Sequence, residues 1–392
     1  MFHAIISRIK KYFFNQSIFI ASNPGQSKFF FNKISRFNRV LLITGKASYK
    51  TSGSKLLMDE ILKDQEVNIF NNFDVNPDVD QIKFGYQIAK KNKPNIIIAI
   101  GGGSVIDAAK IIHYMYCNDL DEEEIFHTNN HQSSKSQKYI PLVAIPTTAG
   151  TGSESTHFAV LYKNKKKFSI VSREMLPSMV YLDQNLCLSN SSYQNACSGF
   201  DALAQAIESY WSKSSSMLSR YYSKKAINLI LDSFSQVNLN SNKDMLKILI
   251  ASNYAGKAIN LTKTTAPHAI SYGITQTLGL PHGHAVAITL GAFFSFHNQE
   301  IKKNNAKINK QLKNFRNVEQ LIYKKSGTNP SDYLYQLMLN FALEYDLNKL
   351  GLDEDMIEGL IENVNLERLL NHPIKLDANK IKNVFHLIPI KN

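Results

Sequence analysis

Cysteine is scarce in this chain: Cys117, Cys187 and Cys197 are the three present among 392 residues. Their spacing fits neither a metal-binding nor a redox pair, so a disulfide scaffold is excluded and a reduced, cytoplasmic setting is expected. Long apolar runs are missing as well. The strongest, Ile96 to Ile100, falls far short of the ~20 residues that a membrane-spanning helix needs, so stable membrane insertion is not expected. The first 20 residues lack acids, and also lack the continuous apolar block and small-residue cleavage site of a secretory signal, so an amphipathic terminal helix is expected there. No arginine-rich arm or nucleic-acid module accompanies the formal net charge of +13. That charge is lysine scattered among many asparagines, which makes nucleic acid an unexpected partner. Internal repeats are absent.

What remains describes an ordinary globular chain, 44% hydrophobic and 20% charged, and long enough for two domains. Val40 to Ser48 is an apolar run ending in a glycine turn, and a second strand is expected at Val67 to Phe70. Helical spacing covers Asp78 to Lys91. Asn95-Ile-Ile-Ile-Ala-Ile100 then reads as a strand buried on both faces. It runs into Gly101-Gly-Gly-Ser-Val-Ile-Asp107, after which helical spacing resumes. Strand, glycine turn and helix in that order let a backbone without Cβ atoms approach a pyrophosphate, whose charge the helix N-terminus meets. The same glycines would also serve a purely steric turn. Residues 118 to 138 are a polar surface excursion, followed by a strand at Tyr139 to Pro146 and the hydroxyl- and glycine-rich run Thr147 to Glu154. Beyond Asp183 the spacing turns helical almost throughout, as in Tyr222 to Phe234, Asp244 to Ile259 and Tyr333 to Phe341. The expected architecture is an α/β nucleotide-binding domain with a mostly parallel sheet at 1–184, and an all-α domain at 185–392. A site is expected in the cleft between them.

The chemistry concentrates between Ser198 and Leu290. Asp201 and Gln205 are four residues apart in a helical run and so share one face. His268 and His282, fourteen residues apart, can join them. One carboxylate, one amide oxygen and two imidazoles gathered at a point suffice for a divalent metal. Lys263, Thr264 and Thr265 lie just ahead of His268 and offer a cation and hydroxyls for an anionic substrate; Arg220 and His284 could add charge. Each has a plainer reading as a surface, capping or packing residue.

Four motifs occur in register: Gly101-Gly-Gly-Ser-x-x-Asp107, Pro146-Thr-Thr-x-Gly-Thr-Gly-Ser-Glu154, Asp201-Ala-Leu-x-x-Ala-Ile-Glu208 and Pro281-His-Gly283. In order and spacing they resemble the iron-containing (group III) alcohol dehydrogenase family, from about residue 17 to the end. The resemblance implies that family's two-domain architecture, NAD(P)-dependent interconversion of alcohols and aldehydes, and a divalent metal, Fe2+ or Zn2+. It implies that Asp201, His268 and His282 are ligands, with His268 and His282 at the catalytic centre. Gln205 departs from it, standing where the family has a histidine, and Tyr272 stands at a position often given to a proton-relaying histidine. Gly101, Gly102, Gly103, Ser104 and Asp107 are carried over as pyrophosphate and ribose contacts. Thr147, Thr148, Thr151 and Lys167 are carried over as contacts on the nicotinamide side. Gln205, the stretch Lys263 to Tyr272 and Pro281 to Val286 look most like the phosphonoacetaldehyde reductase branch, which implies a small anionic aldehyde as substrate. A general aldehyde reductase of the same family, or a nucleotide-binding protein that has lost its metal, are the competing readings. Gly45 and Lys46, where NAD-restricted members carry an acid, mildly favour NADPH over NADH. A homodimer or larger homo-oligomer is implied by family habit.

Overall fold

The strand Ile96–Gly101 is buried at every position and lies between two parallel neighbours, which explains its unbroken run of apolar residues. In the computed structural model of the protein it is β4 of a six-stranded sheet. The residues described are 16–126, 138–164, 166–235, 239, 241–303, 310–364 and 369–390. The basic N-terminal segment and residues 127–137 of the polar excursion lie outside them. With β1 Ser17–Ile20, β2 Arg39–Thr44, β3 Glu66–Phe70, β5 Leu142–Pro146 and β8 Met179–Leu182, the order across the sheet is β1-β8-β5-β4-β2-β3, and every pairing is parallel.

Alternation along these strands divides the core in two. Leu41, Ile43, Ile97, Ala99, Leu142 and Ala144 face one side, with α3 (Val79–Asn92) and α4 (Gly103–Asn118) packed over them. Val40, Leu42, Ile96, Ile98, Val143 and Ile145 face the other, under α1 (Pro24–Ile34) and α2 (Ser54–Ile61). Burying each such side chain is worth about 1.5–3 kcal/mol. An antiparallel hairpin, β6 Phe158–Lys163 and β7 Lys166–Val171, adds Ala159, Leu161 and Ile170 to the first side. Lys167, carried over as a nicotinamide-side contact, stands within β7, opposite Tyr162.

The helical unit is built around α5 (Ser192–Trp211), buried continuously from Asn195 to Ser209. Around it run α6 Met217–Phe234, α7 Asn242–Thr262, α8 Ala266–Leu278, α9 His282–Lys303, α10 Lys310–Ser326, α11 Pro330–Asn340, α12 Glu354–Glu362 and α13 Ala378–His386. The two compact units are Met1–Thr148 with Ser153–Ser189, and Ala149–Gly152 with Asn190–Asn392. The short piece Ala149–Gly152 thus packs with the helices, whereas the sequence pattern groups it with the sheet. Gly152 is the reason: it has φ +60, and a Cβ there would stand 2.6 Å from Gly256 Cα and 2.7 Å from Ser252 O on α7. Two glycines meeting face to face allow that approach. Among the described residues no helix is long and apolar enough to cross a membrane.

Candidate active site

Asp201 and Gln205 sit one turn apart on α5, both buried. The Gln205 amide donates from Nε2 to Asp201 Oδ1 at 3.1 Å and to Thr151 O at 3.2 Å. Those two acceptors fix the amide and leave Oε1 as a buried acceptor with no hydrogen-bond partner. His268 arrives in the first turn of α8, behind Pro267, whose missing N–H costs nothing at a helix start. His282 opens α9. Gly283 beside it lets α9 touch α5, since a Cβ there would lie 1.9 Å from Cys197 O and 3.1 Å from Asp201 Cβ. The outcome is that Asp201, His268 and His282 each offer a ligand atom, all within 4.8 Å of one another. The two imidazole rings are 5.3 Å apart and inclined at 70°. Tyr272 stacks on His282 at 5.3 Å and 13°.

Behind the cluster stands Glu208, fully buried on α5. Its Oε2 accepts from the Thr265 amide at 2.6 Å and the Thr265 hydroxyl at 2.8 Å, and its Oε1 accepts from His268 Nδ1. That bond turns Nε2 of His268 toward Asp201, at 3.1 Å. A carboxylate on the far nitrogen is the support that metal-binding histidines ordinarily have. Burial by itself would lower the His268 pKa, but the Glu208 and Asp201 carboxylates outweigh it and push it up to about 10. Burial opposes ionisation of Asp201 too, yet His268 and His282 hold its carboxyl below the ordinary value. A positive ion at the centre would play the same electrostatic part. Oxygen from Asp201 and nitrogen from two histidines form a donor set that fits a divalent cation.

Other residues singled out in the sequence have different occupations. Thr265 is consumed by Glu208 on one side and accepts from Trp211 Nε1 at 3.0 Å on the other. The Thr264 carbonyl accepts from Asn371. Arg220 on α6 donates to Ser215 Oγ at 3.3 Å. His284 donates from Nε2 to Glu344 O at 2.6 Å and accepts at Nδ1 from the Tyr193 hydroxyl at 2.8 Å. Both nitrogens are spent, and burial holds its pKa below the ordinary value, so it is a neutral packing bridge. Lys263 is exposed at the end of α7 with φ 60 and ψ −177. Glycine alone enters that region freely; another residue there costs on the order of 1–3 kcal/mol.

In the other unit, α4 begins at Gly103 with no side-chain cap, so its first amides stay free of a competing side chain. The Thr147 amide donates to Gly101 O at 3.0 Å, binding the second loop to the glycine turn. A Cβ on Gly102 would sit 3.6 Å from the Thr148 hydroxyl. Ser104 Oγ accepts from the Asn76 amide at 3.2 Å. Asp107 accepts from Ser153 Oγ and, at 2.9 Å, from the Val160 amide, so both its oxygens are engaged within the protein. The buried Lys110 ammonium donates to Ser153, Thr156 and Phe158 O at 2.8, 2.8 and 3.0 Å. Sequence reasoning assigned no role to Glu208, Lys110 or Asn371. For Glu208 the signal was there: Asp201, Gln205 and Glu208 recur at helical spacing as polar residues on an otherwise apolar run.

A parallel sheet with a glycine turn on its central strand, together with a helical unit holding an Asp–His–His cluster buried but for the half-buried His282, has the makings of a dehydrogenase. Residues 19–184 match the model of the iron-containing alcohol dehydrogenases, and residues 195–388 match that family's C-terminal region. The chain belongs to this family. It is 32% identical over 212 residues to a phosphonoacetaldehyde reductase of Streptomyces viridochromogenes, covering 52% of this chain and 54% of that protein. The chain therefore spans about half the length of that relative. To the 4-hydroxybutyrate dehydrogenase of Clostridium kluyveri it is 32% identical over 279 residues, covering 69% of this chain and 71% of the other. A solved structure, sulfoacetaldehyde reductase from Bifidobacterium kashiwanohense in complex with NAD+, superposes with a TM-score of 0.80 at 26% identity, covering 95% and 97% of the two chains.

Proposed function

We propose that the chain is an NAD(P)H-dependent reductase of a small anionic aldehyde, with phosphonoacetaldehyde, giving 2-hydroxyethylphosphonate, as the first candidate. The convergence of Asp201, His268 and His282, whose ligand atoms all lie within 4.8 Å of one another, carries the proposal. The three relatives add a second support, since their named substrates bear a phosphonate, a sulfonate or a carboxylate. The nicotinamide supplies the hydride. A divalent ion, Fe2+ or Zn2+, held by Asp201, Gln205, His268 and His282 would polarise a carbonyl oxygen, an effect worth several kcal/mol. Around that chemistry the chain's own residues orient and exclude. Glu208 keeps His268 Nε2 facing Asp201, and Asp201 and Gln205 stand one turn apart on one rigid helix. The glycine turn and uncapped α4 terminus receive the pyrophosphate, with Thr147, Thr148, Thr151 and Lys167 proposed on the nicotinamide side.

The test is an aldehyde panel of phosphonate, sulfonate, carboxylate and neutral members, run on metal-analysed protein with NADPH oxidation followed. Turnover of neutral aldehydes as efficient as that of anionic ones would favour a general reductase. Tight nucleotide binding without turnover under any metal would leave a binding protein. Lys46, the basis for admitting NADPH, lies 3.4 Å from Asp74 in an exposed pair, which dilutes its pull on a 2′-phosphate. NADPH is accordingly expected to be preferred only modestly, by less than about tenfold in kcat/KM, and a strong NADH preference would contradict the reading.

The amide at position 205 makes a separate prediction. Replacing Gln205 by His exchanges a neutral oxygen for a softer imidazole nitrogen, which suits Zn2+ and Fe2+ better. Zinc retention on dialysis against a chelator should improve by about 10–100-fold in apparent affinity, the range seen when a metal site is tuned. Titration of metal-free Q205H and parent protein decides it: equal affinities would mean that residue 205 is no ligand.

A further inference from the structure

We infer that Asn371 is a positioning residue for substrate selection, because it clamps Lys263 in a glycine-type backbone conformation immediately ahead of the Asp–His–His cluster. The inference rests on the proposed preference for anionic aldehydes.

Lys263 closes α7 with φ 60 and ψ −177. Helix ends elsewhere in the chain show the ordinary alternatives. Lys93 and Asp119 end their helices with φ 46, ψ 58 and φ 52, ψ 47, a left-handed conformation that polar residues tolerate. Gly279 closes α8 with φ 66 and ψ 14. Only at Lys263 is a long side chain carried with positive φ and fully extended ψ among these ends, where glycine would satisfy the backbone at no cost. The residue carried there is exposed and bears a cation.

The strain persists because the backbone is tied on either side of Lys263: Asn371 holds the carbonyls of the residues before and after it, and the Lys263 carbonyl lies 2.9 Å from Thr262 Oγ. Asn371 Nδ2 donates to Thr262 O at 2.7 Å and to Thr264 O at 3.0 Å, bracketing Lys263. Asn371 is itself fixed: its Oδ1 accepts from the Ser214 amide at 3.2 Å and its carbonyl from the Lys213 amide at 2.9 Å. The Lys263 amide donates to Ile259 O at 2.7 Å. Two residues on, the Thr265 amide and hydroxyl bond to Glu208, the same carboxylate that orients His268. One rigid connection thus runs from the root of the lysine to the imidazole beside which a carbonyl would react. A fixed root restricts the region its ammonium searches, and a cation so held favours substrates with an anionic tail.

The experiment compares phosphonoacetaldehyde with propanal, a neutral aldehyde, on the full-length holoenzyme, for the parent, K263G, N371D and the double variant. K263G relieves the strain and removes the cation. It should melt no lower than the parent while KM for phosphonoacetaldehyde rises about 10–100-fold, the loss expected of a charge-assisted contact, with the constants for propanal held within about twofold. N371D keeps the side chain's shape and removes both donors, and should raise the same KM about three- to tenfold with kcat little changed. In the double variant the effects should not add, because Asn371 acts only through Lys263. Equal losses on both aldehydes in N371D, or additive losses in the double variant, would make Asn371 merely structural and overturn the inference; should N371D not fold, Asn371→Ala, which removes the same donors without placing a carboxylate against two carbonyls, is read by the same criteria. If the parent prefers phosphonoacetaldehyde and K263G keeps that preference, the inference fails alone. If the parent shows no such preference, the functional proposal fails and takes this inference with it.

Discussion

His268→Ala is expected to reduce turnover by at least about a thousandfold, since the carbonyl-polarising contribution of a bound ion is several kcal/mol and each 1.36 kcal/mol is tenfold. The imidazole contributes a donor to the three-residue cluster and also completes the chain of bonds through Glu208. Alanine removes the donor and leaves the Glu208 carboxylate short of one partner, so metal should be lost on dialysis as well. Nucleotide binding should survive, because the glycine turn Gly101–Gly103 and the uncapped start of α4 belong to the other compact unit. Three readouts on one preparation therefore move differently: steady-state rate falls, metal content by elemental analysis falls, and quenching of protein fluorescence by NADPH stays. A variant that keeps its rate would show that the cluster is not the reaction centre. One that keeps its metal and loses its rate would confine His268 to the chemistry alone.

The sequence was most informative where a single element carries the whole signal. The apolar run before Gly101 reads as a buried parallel strand because both its faces are covered, and it is β4 at the middle of the sheet. Asp201 and Gln205 share a helix face by spacing alone. Short elements were illegible: β1 and β8 are four residues each, too few for a periodicity, and owe their place to each other and to β5. Side-chain roles failed wherever a long-range partner decides them. Thr265 looks like a substrate hydroxyl until Glu208 is seen to take both its donors, and His284 looks like a spare cation until Tyr193 and Glu344 occupy its two nitrogens. Asn371 reaches Thr264 across 107 residues, and no local pattern announces such a bond. The backbone state of Lys263 is equally silent, since a lysine after a helix ordinarily marks nothing but a helix end.

Glu208 is where stability and chemistry are joined, and its substitution should show both. Alanine there strips the acceptor from the Thr265 amide, the Thr265 hydroxyl and His268 Nδ1. Each buried donor left unmade costs about 1–3 kcal/mol, so the loss is on the order of 3–9 kcal/mol against a typical domain stability of 5–15. E208A should therefore fold poorly, if at all. Glu208→Gln keeps the volume and some of the bonding but removes the charge, and should weaken metal binding about 10–100-fold, as loss of a partner behind a metal-binding histidine does. The pH dependence gives an independent check on metal-free protein. The folded-state pKa of His268, about 10, lies above its ordinary 6.5, so its stabilising contribution is complete below pH 6.5 and is lost as pH rises through 10. Metal must displace that proton, so uptake by the parent should tighten over the same window and release a proton. With Gln at 208 the leading influence raising the pKa is gone, and both trends should flatten. Denaturant midpoints measured across that window on metal-free parent and E208Q decide the matter, because equal slopes would mean that Glu208 does not hold the proton on His268.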